Sequence, residues 1–233
     1  MKLHQSLKHS VICQAIGLLV AGVSGSAFAG PTYAPSGPQL GVAMTTVISG
    51  GWTQCFSQPY GDGGTTVASA ISACSGDLLM MAGSANGNAN IQLLAWAPKV
   101  DVLFSTAQDV VHNANHVDWY FNALSWGFAP EGFGISQQSA DVNSAPGWGD
   151  AGDGGNTRLS WHTSGDGTVA GTMVNGGWRV GNDVFLNSEP TGFTRFLFTA
   201  NSADVRDVPE PAPLALLALG MVAGGLARKR RRI

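Results

Sequence analysis

The chain has 233 residues, 12% of them charged and 44% hydrophobic, with 32 glycines, 7 tryptophans and 3 cysteines. So little charge with so many tryptophans excludes a disordered chain, and glycine without a three-residue period excludes collagen. The net charge of -3 hides a segregation: Lys2 and Lys8 stand at one end and Arg228, Lys229, Arg230, Arg231 and Arg232 at the other, leaving 5 basic residues against all 15 acids between them. An acidic body of this kind repels nucleic acid and anionic lipid, and nucleic acid is not an expected partner.

In chain order, Lys2 and Lys8 precede an apolar run over residues 11–23, and Ala27-Phe28-Ala29 follows. This is the charged, apolar and small-residue order of a secretory signal, cut by signal peptidase after Ala29. The run is too short for an anchor, and Gly22, Gly25 and Ser26 interrupt it. Cys13 leaves with the signal. Residues 30–40, with Pro31, Pro35 and Pro38, read as an extended lead-in.

Residues 41–207 read as one body with a sizeable core. Short strand-like segments fall at 42–48, 77–82, 91–96, 100–105, 116–121, 158–163, 168–174, 183–186 and 193–199. Several alternate at period two, as Leu159 and Trp161 do within Arg158-Leu159-Ser160-Trp161-His162. Turn signals separate them: Asp62-Gly63-Gly64, Gly165-Asp166-Gly167 and Asn175-Gly176-Gly177. One helix is predicted over 66–74, where Val67, Ala70, Ile71 and Cys74 share a face. The expected fold is all-β: a single-domain β-sandwich with one short helix, flanked by the signal peptide and a C-terminal membrane helix.

Cys55 and Cys74 remain after signal removal, and in an oxidising compartment an even pair is expected to bridge. The bridge would tie a turn at Trp52 to the end of the helix. No nearby base supports the alternative of a catalytic thiol. His112 and His116 have the spacing of zinc ligands on a helix, with Asp118 beyond. Asn113 and Asn115 favour a turn and residues 117–121 a strand, so the expectation is hydrogen-bonding loop histidines and no metal.

The loop from Asp150 through Asp153 to Asn156 offers oxygen ligands for calcium but lacks the alternation and closing glutamate of an EF-hand; no cofactor is expected. Most of Trp52, Trp96, Trp119, Trp126, Trp148, Trp161 and Trp178 are expected in the core. Trp148, between two glycines, is the best candidate for an exposed ring able to stack on sugar. No nucleophile elbow, phosphate loop or dinucleotide fingerprint appears. Glu131 and Glu189 are the only glutamates before residue 210, and nothing in the sequence supports pairing either with an aspartate for glycoside hydrolysis. The body is therefore expected not to be an enzyme.

At the C-terminus Val208-Pro209-Glu210-Pro211 is followed by an apolar run over 212–227 and then by Arg228-Lys229-Arg230-Arg231-Arg232. As a helix the run spans about 24 Å, short for a bilayer core of about 30 Å unless the arginines snorkel. The basic cluster resists translocation and stops the chain in the inner membrane. Pro209 and Pro211 lack N–H donors and disfavour helix in the residue before each, which suits an extended cleavage segment.

Residues 208–233 resemble the PEP-CTERM sorting signal of Gram-negative bacteria. The resemblance implies processing by an exosortase, with Pro209, Glu210 and Pro211 as the recognition motif and Arg228 to Arg232 as the stop. It also implies a place at the cell surface or outside the cell, in association with exopolysaccharide and biofilm matrix. The body resembles a recurrent group of secreted bacterial proteins through Gly51-Trp52-Thr53-Gln54-Cys55, Trp119-Tyr120-Phe121-Asn122, Trp126-Gly127-Phe128-Ala129 and Gly177-Trp178-Arg179, a group that brings no activity with it. The expected function is a non-enzymatic surface or matrix protein. The alternatives are a carbohydrate-binding module using exposed tryptophan and, behind it, a secreted hydrolase.

Overall fold

The computed structural model describes residues 31–107, 109–135, 155–164, 171, 173–184, 186 and 192–202. The expected signal peptide, Ala27 and Ala29, Trp148, Glu189, the sorting motif and the basic cluster lie outside these residues. Among the described residues no helix is long and apolar enough to cross a membrane, and the predicted span at 212–227 is not among them.

Two antiparallel sheets pack as a sandwich. The first has five strands: β1 (Gln39–Ala43), β2 (Thr53–Pro59), β4 (Leu78–Ala85), β5 (Asn90–Pro98) and β12 (Phe193–Ala200), ordered β1-β5-β4-β12-β2. The second runs β11-β10-β9-β8-β7-β6, with β6 (His112–Ala114), β7 (Val117–Phe121), β8 (Ser125–Pro130), β9 (Leu159–Ser164), β10 (Met173–Val180) and β11 (Asp183–Val184); β3 (Thr65–Thr66) also pairs β10. Leu79, Met81, Leu93 and Leu197 of the first sheet meet Trp119, Trp126, Phe128, Leu159 and Trp161 of the second.

The run Leu78-Leu79-Met80-Met81-Ala82 does not alternate because β4 is buried on both faces. Leu79 and Met81 face the sandwich core. Leu78, Met80 and Ala82 join Trp52, Val47, Leu94 and Phe198 in a second cluster on the outer face. Its roof is the proline-rich lead-in and α1 (Met44–Ser49). Trp52 Nε1 donates to the Tyr33 carbonyl at 2.7 Å and Trp96 Nε1 to that of Pro35 at 2.7 Å, so the lead-in is stapled down by indole N–H groups.

The predicted helix appears as α2 (Val67–Ile71), shorter than 66–74, capped where Thr66 Oγ1 accepts from Ser69 N at 3.0 Å. Two predicted strands are corrected. Residues 42–48 leave the sheet at Ala43 and continue as α1, because burying Val47 over the outer face outweighs the strand preference of a β-branched run. Residues 100–105 hold α3 (Lys99–Val102), where Val102 is buried and Val100 is 77% exposed, so the alternation needed for a strand is absent. Asn175-Gly176-Gly177 is not a turn: it lies inside β10, where the pairing with β9 shifts register as at a bulge. Residues 168–170 and 172 of the predicted strand at 168–174 fall outside the described part.

Cys55 and Cys74 are disulfide-bonded, with Cα atoms 5.1 Å apart. Cys55 lies within β2 rather than in a turn, so the bridge fastens an edge strand to the segment after α2. Closing a loop of 19 positions is worth about 3 kcal/mol in the chain-entropy model. Replacing both cysteines by alanine is expected to remove about that much from the unfolding free energy in urea; an unchanged midpoint would show that the bridge is dispensable.

Candidate functional site

The histidine pair is split by local geometry. Asn115 and His116 occupy positive φ, 53° and 56°, forming the tight turn between β6 and β7. No helix places the imidazoles side by side. His112 Nε2 lies 2.7 Å from Asp101 Oδ1, and His116 Nδ1 lies 2.6 Å from Glu131 Oε2. Among the described residues no group of three His, Cys, Asp or Glu could hold a metal ion. Asp118 is buried, accepting from Asn113 Nδ2 at 3.0 Å and from the amides of Gly132 and Gly134 at 2.9 and 3.0 Å, which makes it a fastener of the turn after β8. The calcium-ligand candidates Asp150 and Asp153 lie outside the described residues; Asn156 sits in a single 3₁₀ turn, Gly155–Thr157.

The six described tryptophans are structural. Trp52, Trp119, Trp126 and Trp161 are buried, and Trp126 meets Trp161 edge to face at 5.1 Å between centroids. Trp96 and Trp178 are half-buried, and all six described indole N–H groups find acceptors. Trp178 lies against the His162 ring at 4.2 Å. Burial of the His162 imidazole pulls its pKa below the usual value, opposed by a hydrogen bond with the Asn175 backbone. Among the described residues no tryptophan stands exposed as a sugar platform.

Three of the body's five basic residues are buried arginines bound to carbonyls. Arg158 donates to Gly134 and Phe133 at 2.8 and 2.9 Å; Arg179 donates to Gly155 and Gly181 at 2.9 and 2.8 Å. Arg195 donates to the Asp62 carbonyl and the Gln58 side chain at 2.8 and 2.7 Å, and to the Gly176 carbonyl. Lys99 Nζ is held by the Cys74 carbonyl at 2.5 Å. The cations therefore knit loops together.

The outer face of the five-stranded sheet opens where its roof ends. Beyond Met44 lies a cleft of about 280 Å³. Its apolar surface comes from Met44, Ile91 and Phe196, and its polar surface from Ser57, Ser84, Asn86, Asn88, Asn90 and Thr194. Among the described residues no charged side chain lines it. Thr194 Oγ1 donates to Asn86 Oδ1 at 2.6 Å, and Ser84 Oγ donates to the Asn90 carbonyl at 2.9 Å, fixing the β4–β5 turn against β12. None of these residues was singled out by sequence; the amide-rich stretch Ser84-Ala85-Asn86-Gly87-Asn88-Ala89-Asn90 between two apolar runs is the signal that could have done so.

At the other end of β12 the chain leaves the sheet toward the C-terminus. Ser202 N donates to Asp77 Oδ1 at 2.5 Å, and the Ser202 hydroxyl reaches Asp77 Oδ2. These hydrogen bonds hold the Asp77 carboxyl below the usual carboxylate range. Thr199 Oγ1 accepts from Gly76 N at 2.9 Å and donates to the Leu78 carbonyl at 3.1 Å. The strand that feeds the tail is central, flanked by β4 and β2 along its length, and its exit is fastened.

A disulfide-bridged β-sandwich followed by a proline-flanked acid, an apolar run and a basic end defines an exported protein with a C-terminal sorting tag. That tag is the PEP-CTERM protein-sorting motif, matched over residues 207–232, and it makes an exosortase the implied processing partner. No curated protein and no solved structure matches the chain.

Proposed function

We propose that this protein is a non-enzymatic surface or matrix component. Signal peptidase cuts it after Ala29; the 212–227 segment and Arg228 to Arg232 hold it transiently in the inner membrane, and the exosortase releases or transfers the body outside, into the exopolysaccharide-rich matrix. The observation that carries this reading is the sorting motif at residues 207–232, joined to a body whose last strand is locked into the middle of a sheet. A body tethered in this way stays folded while its tail is processed.

Replacing Pro209, Glu210 and Pro211 by alanine in the producing cell is expected to leave the chain at the membrane with its tail intact. The unaltered protein should yield a shortened body outside the cell. Intact-mass measurement of both fractions reads the outcome, and an equally shortened body from the alanine variant overturns the proposal.

A further inference from the structure

We infer that the cleft beside the β4–β5 turn binds a neutral saccharide, one ring seated on Phe196 with its hydroxyls held by the surrounding amides and hydroxyls. This goes beyond the sorting reading and does not rest on it. The first support is the chemistry of the lining. Asn88, Asn90 and Ser57 make no side-chain hydrogen bond to another described residue, so their donors and acceptors stand open to a ligand beside an apolar ring. Amide and hydroxyl side chains supply donor and acceptor together, as adjacent sugar hydroxyls require, and an aromatic ring takes the apolar face of a pyranose. With no ammonium, guanidinium or carboxylate among the described lining residues, a charged ligand would lose its hydration without a counter-charge from them. A cleft of about 280 Å³ stands at the lower end of small-molecule sites, with room for a ring rather than an extended peptide.

The second support is rigidity. The Thr194–Asn86 and Ser84–Asn90 hydrogen bonds, with Asn86 N donating to the Gly192 carbonyl at 2.9 Å, build the rim before any ligand arrives. The third is position. Thr194 and Phe196 stand near the start of β12, while the chain departs toward the sorting tag after Ala200. Six residues of strand separate Thr194 from Ala200, about 20 Å. The cleft thus lies at the end of β12 away from the point where the chain leaves the sheet.

The test uses the full-length chain in detergent micelles, titrated with neutral hexasaccharides of glucose, mannose, galactose and N-acetylglucosamine. Hexagalacturonate and an uncharged glycine–serine peptide are run alongside. Hydrogen exchange read by mass spectrometry locates the contact. At least one neutral hexasaccharide is expected to protect residues 84–91 and 193–197 saturably, at concentrations below about 10 mM. Ser57→Trp, which fills the cleft from an exposed edge-strand position, should weaken that binding about tenfold or more, as should Asn88→Ala at the exposed turn. Three results would overturn the inference: no protection by any neutral hexasaccharide, protection unchanged in both variants, or stronger binding of the uronate or the peptide. Each is read on purified protein, so none depends on whether the tag is cut.

Discussion

Gly177→Ala is expected to destabilise the body by about 4 kcal/mol. A Cβ on Gly177 would lie 1.7 Å from Tyr60 Cδ1 and 2.1 Å from Cε1, inside the space of the ring. The ring cannot retreat, because Tyr60 is fully buried and its hydroxyl already lies within 2.6 Å of where a Cβ of Gly83 would stand. It must leave its slot, giving up a buried aromatic and stranding Trp161 Nε1, which donates to the Tyr60 hydroxyl at 3.2 Å. Burial also pushes the Tyr60 phenol pKa upward, so ionisation offers no way out near neutral pH. Gly87 is the control: its φ is +82° but nothing lies within 4 Å of an added Cβ, and alanine there should cost only the left-handed strain of about 1 kcal/mol. Urea unfolding followed by tryptophan fluorescence compares the two. Equal costs would show that the slot between Tyr60 and Gly177 has slack.

The same glycine shows what could be read from sequence and what could not. Asn175-Gly176-Gly177 has the composition of a turn, and turn chemistry is local, but whether such a triplet turns the chain or bulges a strand depends on what packs against it. Here an aromatic ring from the segment after β2 needs a position without a side chain in β10, a long-range demand that one-dimensional periodicity does not carry. Strands with one dominant partner face were legible: β5, β7, β9 and β12 appear near their predicted places. The edge strand β2, where only Cys55 and Phe56 are apolar, and β8, where Gly127 and Pro130 blur the alternation of Trp126 and Phe128, were not. The helix α1 was misread because its strand-like residues roof a sheet instead of joining it.

The destination of the protein was more legible than its surface. The terminal motif, apolar run and basic cluster form one contiguous stretch, so the resemblance to the sorting signal rests on local order alone. The cleft gathers residues from α1, β2, β4, β5 and β12, elements up to about 150 positions apart in the chain, and no local pattern connects Ser57 or Thr194 to the β4–β5 turn. Tryptophan content was legible in the main: Trp52, Trp119, Trp126 and Trp161 are core as expected, and each described indole is spent on packing or on a hydrogen bond, because a β-sandwich with little charge needs large rings to fill the space between its sheets.

The second large effect is expected at Arg195, where Arg195→Met should cost about 3 kcal/mol although it removes a buried charge. The guanidinium is fully buried with its Cζ 5.5 Å from the centre of the Trp161 ring. Burial pulls its pKa down to about 10, opposed by Tyr60 and Asp62, so at neutral pH it remains a cation. Two opposing terms decide the sign. Relief of the desolvated charge favours methionine, and Nε, which has no acceptor among the described residues, gains from removal. Against this, the buried Gly176 carbonyl loses its donor, and the part-buried Asp62 carbonyl and Gln58 Oε1 lose one each, the latter keeping Thr65 Oγ1. A buried acceptor left unsatisfied costs about 1–3 kcal/mol, and the cation–π contact with Trp161 goes too. The stranded Gly176 carbonyl, the two weakened part-buried contacts and the lost ring contact together outweigh one relieved charge whose partners are neutral. Arg195→Lys should fall between, since an ammonium cannot present a planar fork to groups on three segments. The stem of methionine preserves most of the packing, so the loss should appear first as faster hydrogen exchange at residues 58–66 and 173–177, where Arg195 ties the β2–β3 turn to β10. If Arg195→Met matches the parent in urea midpoint and exchange, the desolvation term is the larger, and the arginine is a cost that the fold tolerates rather than a clamp that it needs.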